Sequence, residues 1–432
     1  MKYLFKNARI YAPDTVIENG YLATDGALIT YVGTARPLGE FDGEKEMSGK
    51  LLMPGLVNCH THTPMTLLRG VGTDLPLQTW LFDHVFPIEN RLTPEMMKAG
   101  TEMALLEMIS TGTVSFTDMY FYPDTMAESI LRSGMKANIS QHVQSFDTAG
   151  KYADNAQVHT MEHLTETWHG AGDGRILVDA SLHAEYTSFS EEVARGVADY
   201  AKAHGLRAHV HLSETAAEHE ECKVRRGGLT PAGWYESIGI FDVPCTAAHC
   251  VWVEPADREI FCRRGVSVTH NPTSNMKLGS GFAPIPELLA EGVNVALGTD
   301  GAASNNNLNL FEEMHLAAII HDGHRRDPAV IKAREVVTMA TRSGALAQGR
   351  TDCGILAPGK RADVIAVDLE RPHLVPDLDT AGLLAYAAQG SDVVMTMADG
   401  QILYENGEFK TLDKERILAE AVSAVKKLYG NP

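Results

Sequence analysis

Short apolar runs rich in β-branched residues alternate with stretches of helical periodicity between about Gly55 and Asp300. This alternation is typical of parallel strands joined by helices rather than of hairpins. Eight runs are predicted as strands: GLVNCH ending at His60, TVSFTD ending at Asp118, KANIS near Ile139, ILVDASLH ending at His183, RAHVH ending at His211, TAAH ending at His249, SVTH ending at His270 and NVALGTD ending at Asp300. The pattern therefore predicts an α/β fold, a (β/α)8 TIM barrel.

Histidine or aspartate closes most of these predicted strands. Barrel active sites are built on the C-terminal ends of the strands and the loops that follow them, so the polar strand ends mark the expected site. A doubly wound open sheet would also alternate strands and helices, but a glycine-rich phosphate loop should follow its first strand. The first predicted strand is followed instead by His60-Thr61-His62-Thr63-Pro64, which favours the barrel.

Three local signals set helix boundaries between the strands. Thr93 followed by Pro94 predicts an N-cap and a first helical residue, and Ser188-Phe189-Ser190-Glu191 predicts a capping box. Gly205 predicts the end of the helix that this box begins.

Both ends of the chain differ from its middle. Residues 1–54 read as short strands with turns at Asn19-Gly20 and Asp25-Gly26, and ADVIAVD and DVVMTMADGQILYENGEF repeat this style near the other end. Each segment is too small to bury a core alone. The predicted organisation is therefore a small discontinuous β-sandwich from residues 1–54 and 356–432, around a barrel of residues 55–355, with a terminal helix near Lys414 to Leu428.

Composition narrows the classes of function. The 432-residue chain is 44% hydrophobic, 22% charged and carries a net charge of −19, which would repel nucleic acid. It shows no apolar run of signal-peptide or transmembrane length, so a cytoplasmic protein without membrane contacts is expected. Six cysteines without a CxxC pair indicate free thiols. Homo-oligomers are common at this size, but the sequence leaves the oligomeric state open.

A candidate metal site begins with His60 and His62. Residues i and i+2 of a strand point to the same face, so both imidazoles can converge at the barrel mouth. His211 and Asp300 end strands on the same rim, and three imidazoles with one carboxylate suit Zn²⁺. His209 shares a strand face with His211 and is the alternative ligand. We favour His211 because it lies nearer the end of its strand.

Acid and base candidates lie beside this cluster. Glu214 follows His211 by three residues, where a carboxylate can reach a metal-bound water; alone it would be a solvated surface acid. His249 ends the neighbouring strand and is a second candidate for proton handling, with a core histidine as the alternative. His183 and His270 either face substrate or cap their strands. The long loop from about Pro64 to Thr93 carries Trp80 and Glu89 and is predicted to hold an ordered helix.

With these residues, the sequence resembles the amidohydrolase superfamily and, within it, the methylthioadenosine/S-adenosylhomocysteine deaminases, which belong to the ATZ/TRZ-like hydrolases. The resemblance covers nearly the whole chain. It is carried by MPGLVNCHTHTPM at 53–65, HVHLSET at 209–215, AAHC at 247–250, HNPTSNMKLGSG at 270–281, GTDGAASNNNLNLFEEM at 298–314 and APGKRADVIAVD at 357–368.

The resemblance implies a role for each matching residue. One divalent ion would be bound by His60, His62, His211 and Asp300. A single ion is implied because the carbamate-bearing lysine of two-metal relatives is absent. Zn²⁺ is the simplest choice, with Fe²⁺, Mn²⁺ or cobalt as alternatives. Glu214 would be the acid/base, His249 would assist water activation, and Asp300 would also pass a proton to the departing amine. Trp80, Glu89 and His183 would contact the nucleoside. The implied reaction is hydrolytic deamination of an adenine nucleoside: methylthioadenosine, 5′-deoxyadenosine, adenosine or S-adenosylhomocysteine.

One departure bears on the substrate. Relatives that accept S-adenosylhomocysteine well use arginines near the third strand, whereas this chain has no arginine between Arg132 and Arg175. Lys151 is a substitute without the bidentate fork. The alternatives are an amidohydrolase acting on guanine or another aminated or chlorinated heterocycle, and a noncatalytic scaffold. A nucleic-acid deaminase is disfavoured by the acidic charge and the missing HxE and PCxxC motifs.

Overall fold

The computed structural model describes residues 1–430 of the chain, and its central element is a parallel sheet. The strands of this sheet are β6 Leu56–Thr61, β7 Thr113–Met119, β8 Lys136–Ser140, β9 His142–Val143, β10 Ile176–Leu182, β11 Arg207–Leu212, β12 Cys245–His249, β13 Ser267–His270 and β14 Val295–Leu297. All eight predicted strands are present, and β9, which pairs with β10, was missed. The predicted (β/α)8 barrel is confirmed.

The barrel closes between its first and last strands. The strand order runs β14-β13-β12-β11-β10-β8-β7-β6, and the pairs along it are parallel. Beyond the end of β14, the Asp300 amide donates to the His60 carbonyl at 2.9 Å and joins the two edges. Residues of these strands are buried on both faces, as expected where helices surround a parallel sheet.

In two cases the predicted end residue lies beyond the observed strand. β14 ends at Leu297, so Asp300 lies in the following loop with a positive φ of 60°. β10 ends at Leu182, one residue before His183. In both cases the strand ends before the polar residue, whose side chain still lies at the barrel mouth.

Both chain ends form a second, mixed sheet. Its strands are β1 Lys2–Tyr11, β2 Val16–Asp25, β3 Leu28–Gly33, β4 Gly43–Glu46, β5 Lys50–Pro54, β15 Val364–Asp368, β16 Val393–Ala398, β17 Gln401–Glu405 and β18 Glu408–Phe409. Pairing of β5 with β15 joins the two ends of the chain. Leu22 and Met395, from distant strands of the sheet, share one apolar cluster, so the sheet curves around a core of its own.

Of the two predicted turns, one is a turn and one is not. The chain reverses at Gly26 between β2 and β3, whereas Asn19 and Gly20 lie inside β2. Asn19 has a φ of 49°, and the register between β1 and β2 shifts beside it, so the Asn-Gly pair forms a bulge. The positive φ that Asn-Gly signals is real, but it bends a strand rather than ending it.

Helices cover the barrel and connect the sheets. They are α1 Leu77–Thr79, α2 Phe86–Glu89, α3 Pro94–Ser110, α4 Pro123–Ser133, α5 Ala156–Trp168, α6 Ala171–Gly174, α7 Glu191–His204, α8 Ala216–Arg225, α9 Pro231–Ser237, α10 Pro255–Arg264, α11 Pro272–Lys277, α12 Ile285–Ala290, α13 Leu310–Arg325, α14 Ala333–Thr338, α15 Gly344–Ala347, α16 Thr380–Tyr386 and α17 Lys414–Tyr429. Within residues 1–430, no helix has both the length and the apolar character to cross a bilayer.

The helix signals were partly correct. Thr93 caps α3 by accepting the Met96 amide, and Gly205 ends α7 in the left-handed conformation. The capping box predicted at Ser188 is wrong: Ser190 is the N-cap of α7 and accepts the Val193 amide at 3.1 Å. Ser188 instead donates its hydroxyl to the Ala184 carbonyl, within the preceding turn.

A buried charge network connects the two sheets. Lys136 begins β8, is 2% exposed and donates to the carboxylates of Asp363 and Asp399, which flank strands of the other sheet. Arg361 also donates to Asp399. The domain division at residues 54 and 355 stays a prediction, and this network is the place where such units would be held together.

We expect Lys136→Met to lower the free energy of unfolding by about 3–5 kcal/mol, since it leaves Asp363 buried without its cation. Urea denaturation measures this change. Lys2→Met, which removes an exposed pair with Asp25, is the control and should cost at most about 1 kcal/mol. Equal losses of unfolding free energy in the two variants would contradict the role of Lys136 in compensating the buried carboxylates.

Candidate active site

The predicted site residues meet around one cavity at the C-terminal ends of the barrel strands. The lining residues are His62, Met65, Leu77, Trp80, Leu81, Phe86, Glu89, Met119, Tyr120, His142, His183, Tyr186, His211, Glu214, His249, Leu278 and Asp300. The internal space is about 50 Å³, enough for a few waters, each of which needs about 10–15 Å³ of such space. Residues 77–89 form its cover, with a π-helical turn at Trp80–Val85.

His60 and His62 point to the same side of β6, as the strand periodicity predicts. Their Nε2 atoms lie 3.5 and 3.3 Å from Asp300 Oδ1. His62 Nδ1 lies 2.8 Å from the Met119 carbonyl, which only accepts, so Nδ1 carries a proton and Nε2 faces the cluster. His60 Nε2 is buried and has no hydrogen-bond partner among the described residues. Two imidazole nitrogens therefore converge on one point.

His211 approaches the same point from β11. Its Nε2 lies 3.4 Å from His62 Nε2, and its Nδ1 donates to the His183 carbonyl at 2.7 Å. His209, the alternative ligand, lies two residues earlier, with its Nε2 3.1 Å from His60 Nδ1. His209 thus contacts the back of the His60 ring, where it can orient that ring, rather than the centre of the cluster.

Asp300 is held by short hydrogen bonds on both carboxylate oxygens. The hydroxyls of Ser274 and Ser304 each donate to Oδ2 at 2.7 Å, and the Gly301 amide donates to Oδ1 at 2.7 Å. Burial raises the pKa of Asp300, but the nearby His60 and His62 imidazoles outweigh this and hold the pKa well below its ordinary value. The side chain is therefore a fixed carboxylate.

These four side chains, together with His249, offer donor atoms that fit a divalent cation. Two overlapping sets, one of His60, His62 and Asp300 and one of His60, His211 and His249, each bring their ligand atoms within 4.8 Å of one another. The unpartnered His60 Nε2 and the carboxylate beside it are the donors that a borderline cation prefers. Burying the Asp300 carboxylate costs free energy unless a cation or hydrogen bonds compensate its charge.

Glu214 and His249 lie next to this cluster. Glu214 follows β11, is 5% exposed and accepts the Ser280 hydroxyl at 3.3 Å. Its Oε2 lies 3.8 Å from His249 Nε2, while His249 Nδ1 lies 2.9 Å from Asn275 Oδ1. Burial raises the pKa of Glu214 above that of a free carboxyl. A carboxyl with a raised pKa can accept and return a proton near neutral pH.

The three predicted substrate contacts also line the cavity, from different directions. Trp80 is 4% exposed and donates its indole N–H to the Val71 carbonyl at 3.0 Å. Glu89 accepts the Tyr120 hydroxyl, and burial raises the pKa of its carboxyl. His183 lies against His211, with ring centroids 4.9 Å apart, and burial lowers its pKa to about 3. His183 is therefore neutral at physiological pH.

His270 does not line the cavity. Its Nε2 lies 3.2 Å from His321 Nε2 on α13, so it packs against a surrounding helix. Of the two interpretations left open for this residue, the structure favours the structural one.

Sequence reasoning missed four polar or aromatic residues of the cavity: Phe86, Tyr120, His142 and Tyr186. Tyr120 follows β7 directly, so the rule that chemistry lies after strand ends would have identified it. His142 lies just beyond β8, with a buried Nδ1 that has no hydrogen-bond partner among residues 1–430. The signal was weak there because KANIS ends in a serine rather than in a histidine or an acidic residue.

Comparison with known proteins identifies the family to which the chain belongs. Residues 51–403 match the Amidohydrolase family. A 5-methylthioadenosine/S-adenosylhomocysteine deaminase of Dictyoglomus thermophilum is 41% identical over 424 residues, covering 98% of this chain and 97% of the relative. A 5′-deoxyadenosine deaminase of Methanothermobacter thermautotrophicus is 40% identical over 414 residues, covering 96% of each chain. The chain belongs to the amidohydrolase family.

Among solved structures, the chain is similar to an adenosine deaminase from Xanthomonas campestris crystallised with bound zinc. The two share 31% identity and a TM-score of 0.92, over 99% of this chain and 98% of the other. The resemblance to this family and the α/β fold expected from the sequence are thus both confirmed.

Proposed function

We propose that the protein is a metal-dependent hydrolase that deaminates an adenine nucleoside to the inosine analogue and ammonia. One observation carries the proposal: a buried carboxyl, Glu214, lies beside a cluster of histidines and Asp300 in one cavity. The names of the similar relatives support adenine nucleosides as the substrate class. The alternative, guanine or another heterocycle, is not favoured by them.

In this proposal His60, His62, His211 and Asp300 hold one divalent ion, with Zn²⁺ the simplest choice. Such an ion supplies a hydroxide nucleophile at neutral pH, because coordination lowers the pKa of water to roughly 7. Water adds to C6 of the purine, the C6–N bond to the amino group breaks, and ammonia leaves. The described residues bind the substrate and move the protons.

Glu214 takes a proton from the attacking water and delivers it to ring N1, which makes C6 more electrophilic as the C–O bond forms. Its raised pKa suits this transfer, and the Ser280 hydroxyl fixes one of its oxygens. His249, oriented by Asn275, holds the attacking water by its Nε2. Asp300, held in place by Ser274 and Ser304, then takes the proton of the new C6 hydroxyl and passes it to the departing amine, so that the 6-oxo group forms as ammonia leaves.

Residues 77–89 form one side of the cavity, which is partly open. We propose that this segment moves to admit a purine nucleoside and then closes over it. Trp80 and Glu89 are on this segment, so its closure would bring both against the nucleoside. Trp80 would pack on it and Glu89 would accept hydrogen bonds from the ribose hydroxyls.

A side cavity of about 420 Å³ adjoins the site and shares Glu89 with it. Asp124, Gln141 and Gln157 also line it, whereas its described lining residues include neither lysine nor arginine. Lys151, the substitute considered above, pairs with Glu192 on the surface. This wall suits an uncharged 5′-substituent better than a carboxylate.

The experiment that tests the proposal is ammonia release by the zinc-loaded enzyme. We expect turnover of adenosine, 5′-deoxyadenosine and methylthioadenosine and none of guanine. For S-adenosylhomocysteine we expect a kcat/KM about tenfold or more below that for methylthioadenosine, because its carboxylate lacks a cationic partner worth about 1.5–3 kcal/mol. Absence of ammonia from every adenosine while metal is bound would refute the proposal. Equal kcat/KM for the two thioethers would refute the assignment of the side cavity.

A further inference from the structure

A second buried carboxyl, Glu218, lies directly behind Glu214. It is on the first turn of α8 and is 1% exposed, although it has no lysine or arginine partner within residues 1–430. Its two oxygens accept backbone amides instead: Oε1 from Ser213 at 3.0 Å and Oε2 from Glu214 at 2.7 Å. A carboxylate at this depth costs free energy unless its hydrogen bonds are made, so these two bonds define its environment.

The backbone that Glu218 holds is an unfavourable one. Ser213, between the end of β11 and the start of α8, has a φ of 47°, in the left-handed region that non-glycine residues rarely adopt. Thr215 caps α8 separately by accepting the Glu218 amide at 3.2 Å. The helix therefore has its N-cap without the Glu218 carboxylate, which serves the turn that precedes the helix.

We propose that Glu218 is a positioning residue for deamination: its carboxylate fixes the Ser213–Glu214 turn so that the Glu214 side chain faces the cavity. The inference rests on the proposed role of Glu214. Glu218 itself does not line the cavity, so it acts on the reaction only through the backbone of Glu214.

The test compares Glu218→Gln with the wild type in the zinc-loaded enzyme. Glutamine keeps one acceptor oxygen but turns an amino group toward the other backbone N–H, so one hydrogen bond to the turn is lost. We expect kcat to fall about tenfold or more, with KM changed by less than about threefold and zinc content unchanged. Hydrogen exchange at the Ser213 and Glu214 amides should become faster. Glu218→Asp, whose oxygens withdraw by one methylene, carries the same expectation.

Asp392→Asn is the matched control. Asp392 is also buried, and it accepts the backbone amide of Gln389 at 2.9 Å in the C-terminal part of the chain, away from the barrel mouth. The Asp392→Asn substitution should lower the free energy of unfolding without lowering kcat. The inference is overturned if Glu218→Gln keeps kcat within about twofold and leaves amide exchange unchanged, or if Asp392→Asn loses as much kcat. A wild type that releases no ammonia would refute the proposed function instead, and the exchange of the two amides would still test the turn.

Discussion

Replacing Glu214 by glutamine is expected to lower kcat for nucleoside deamination by roughly 10²–10⁴-fold, the range that a general acid/base contributes. Glutamine has nearly the same shape and can still accept the Ser280 hydroxyl, but it cannot carry a proton to ring N1. Steady-state ammonia release with a 5′-modified adenosine measures the change. Zinc content should stay at the wild-type level, because Glu214 is not among the four proposed ligands.

The control for this variant is Glu220→Gln, the same substitution on the following helix. Glu220 has a largely exposed side chain that pairs with Lys223, so its loss should leave kcat within about twofold. A Glu214→Gln enzyme as active as this control would remove Glu214 from proton transfer. A variant that has also lost its zinc would place Glu214 in metal binding instead.

Strand periodicity was sufficient to bring the three proposed histidine ligands together. His60 and His62 are two residues apart on one strand, and His211 lies on another strand that ends at the same rim, so the barrel rule alone sets their convergence. The choice between His209 and His211 depended only on which lay nearer the strand end. The structure puts His209 against the far nitrogen of His60, a contact that no spacing rule predicts.

Features that depend on loops were not predictable in the same way. Asp300 lies three residues beyond its strand in a left-handed conformation, and its rigidity comes from two serines of separate segments. Glu218 looks like an ordinary acidic residue of a helix N-terminus, and only the path of the preceding turn reveals that it holds Glu214. The position of Trp80 likewise depends on packing against Gly72, where an added Cβ would lie 2.6 Å from the indole ring.

Removal of the divalent ion by a chelator is expected to reduce deamination to background, and zinc should restore it. The proposed ligands also predict how binding depends on pH. Burial lowers the pKa of His62, but its hydrogen bond with Asp300 and the charges of Asp300 and Asp118 overcome this and raise it to about 9. Burial lowers the pKa of His60 to about 3, so His60 is neutral at neutral pH and its unprotonated nitrogen can bind a metal. Zinc must therefore displace a proton from His62 but none from His60.

The sign of the pH effect follows from the raised pKa of His62. In the metal-free protein, the proton on His62 stabilises the folded state. This contribution is complete below the unfolded pKa of about 6.5 and is lost as pH rises toward 9. The apparent zinc affinity should change in the opposite direction, rising up to about tenfold per pH unit from pH 6.5 to 9. Competition with a chelator of known affinity measures it, and thermal unfolding with and without zinc provides the control. A zinc affinity that does not change with pH over this interval would show that zinc displaces no proton from His62 and would contradict this prediction.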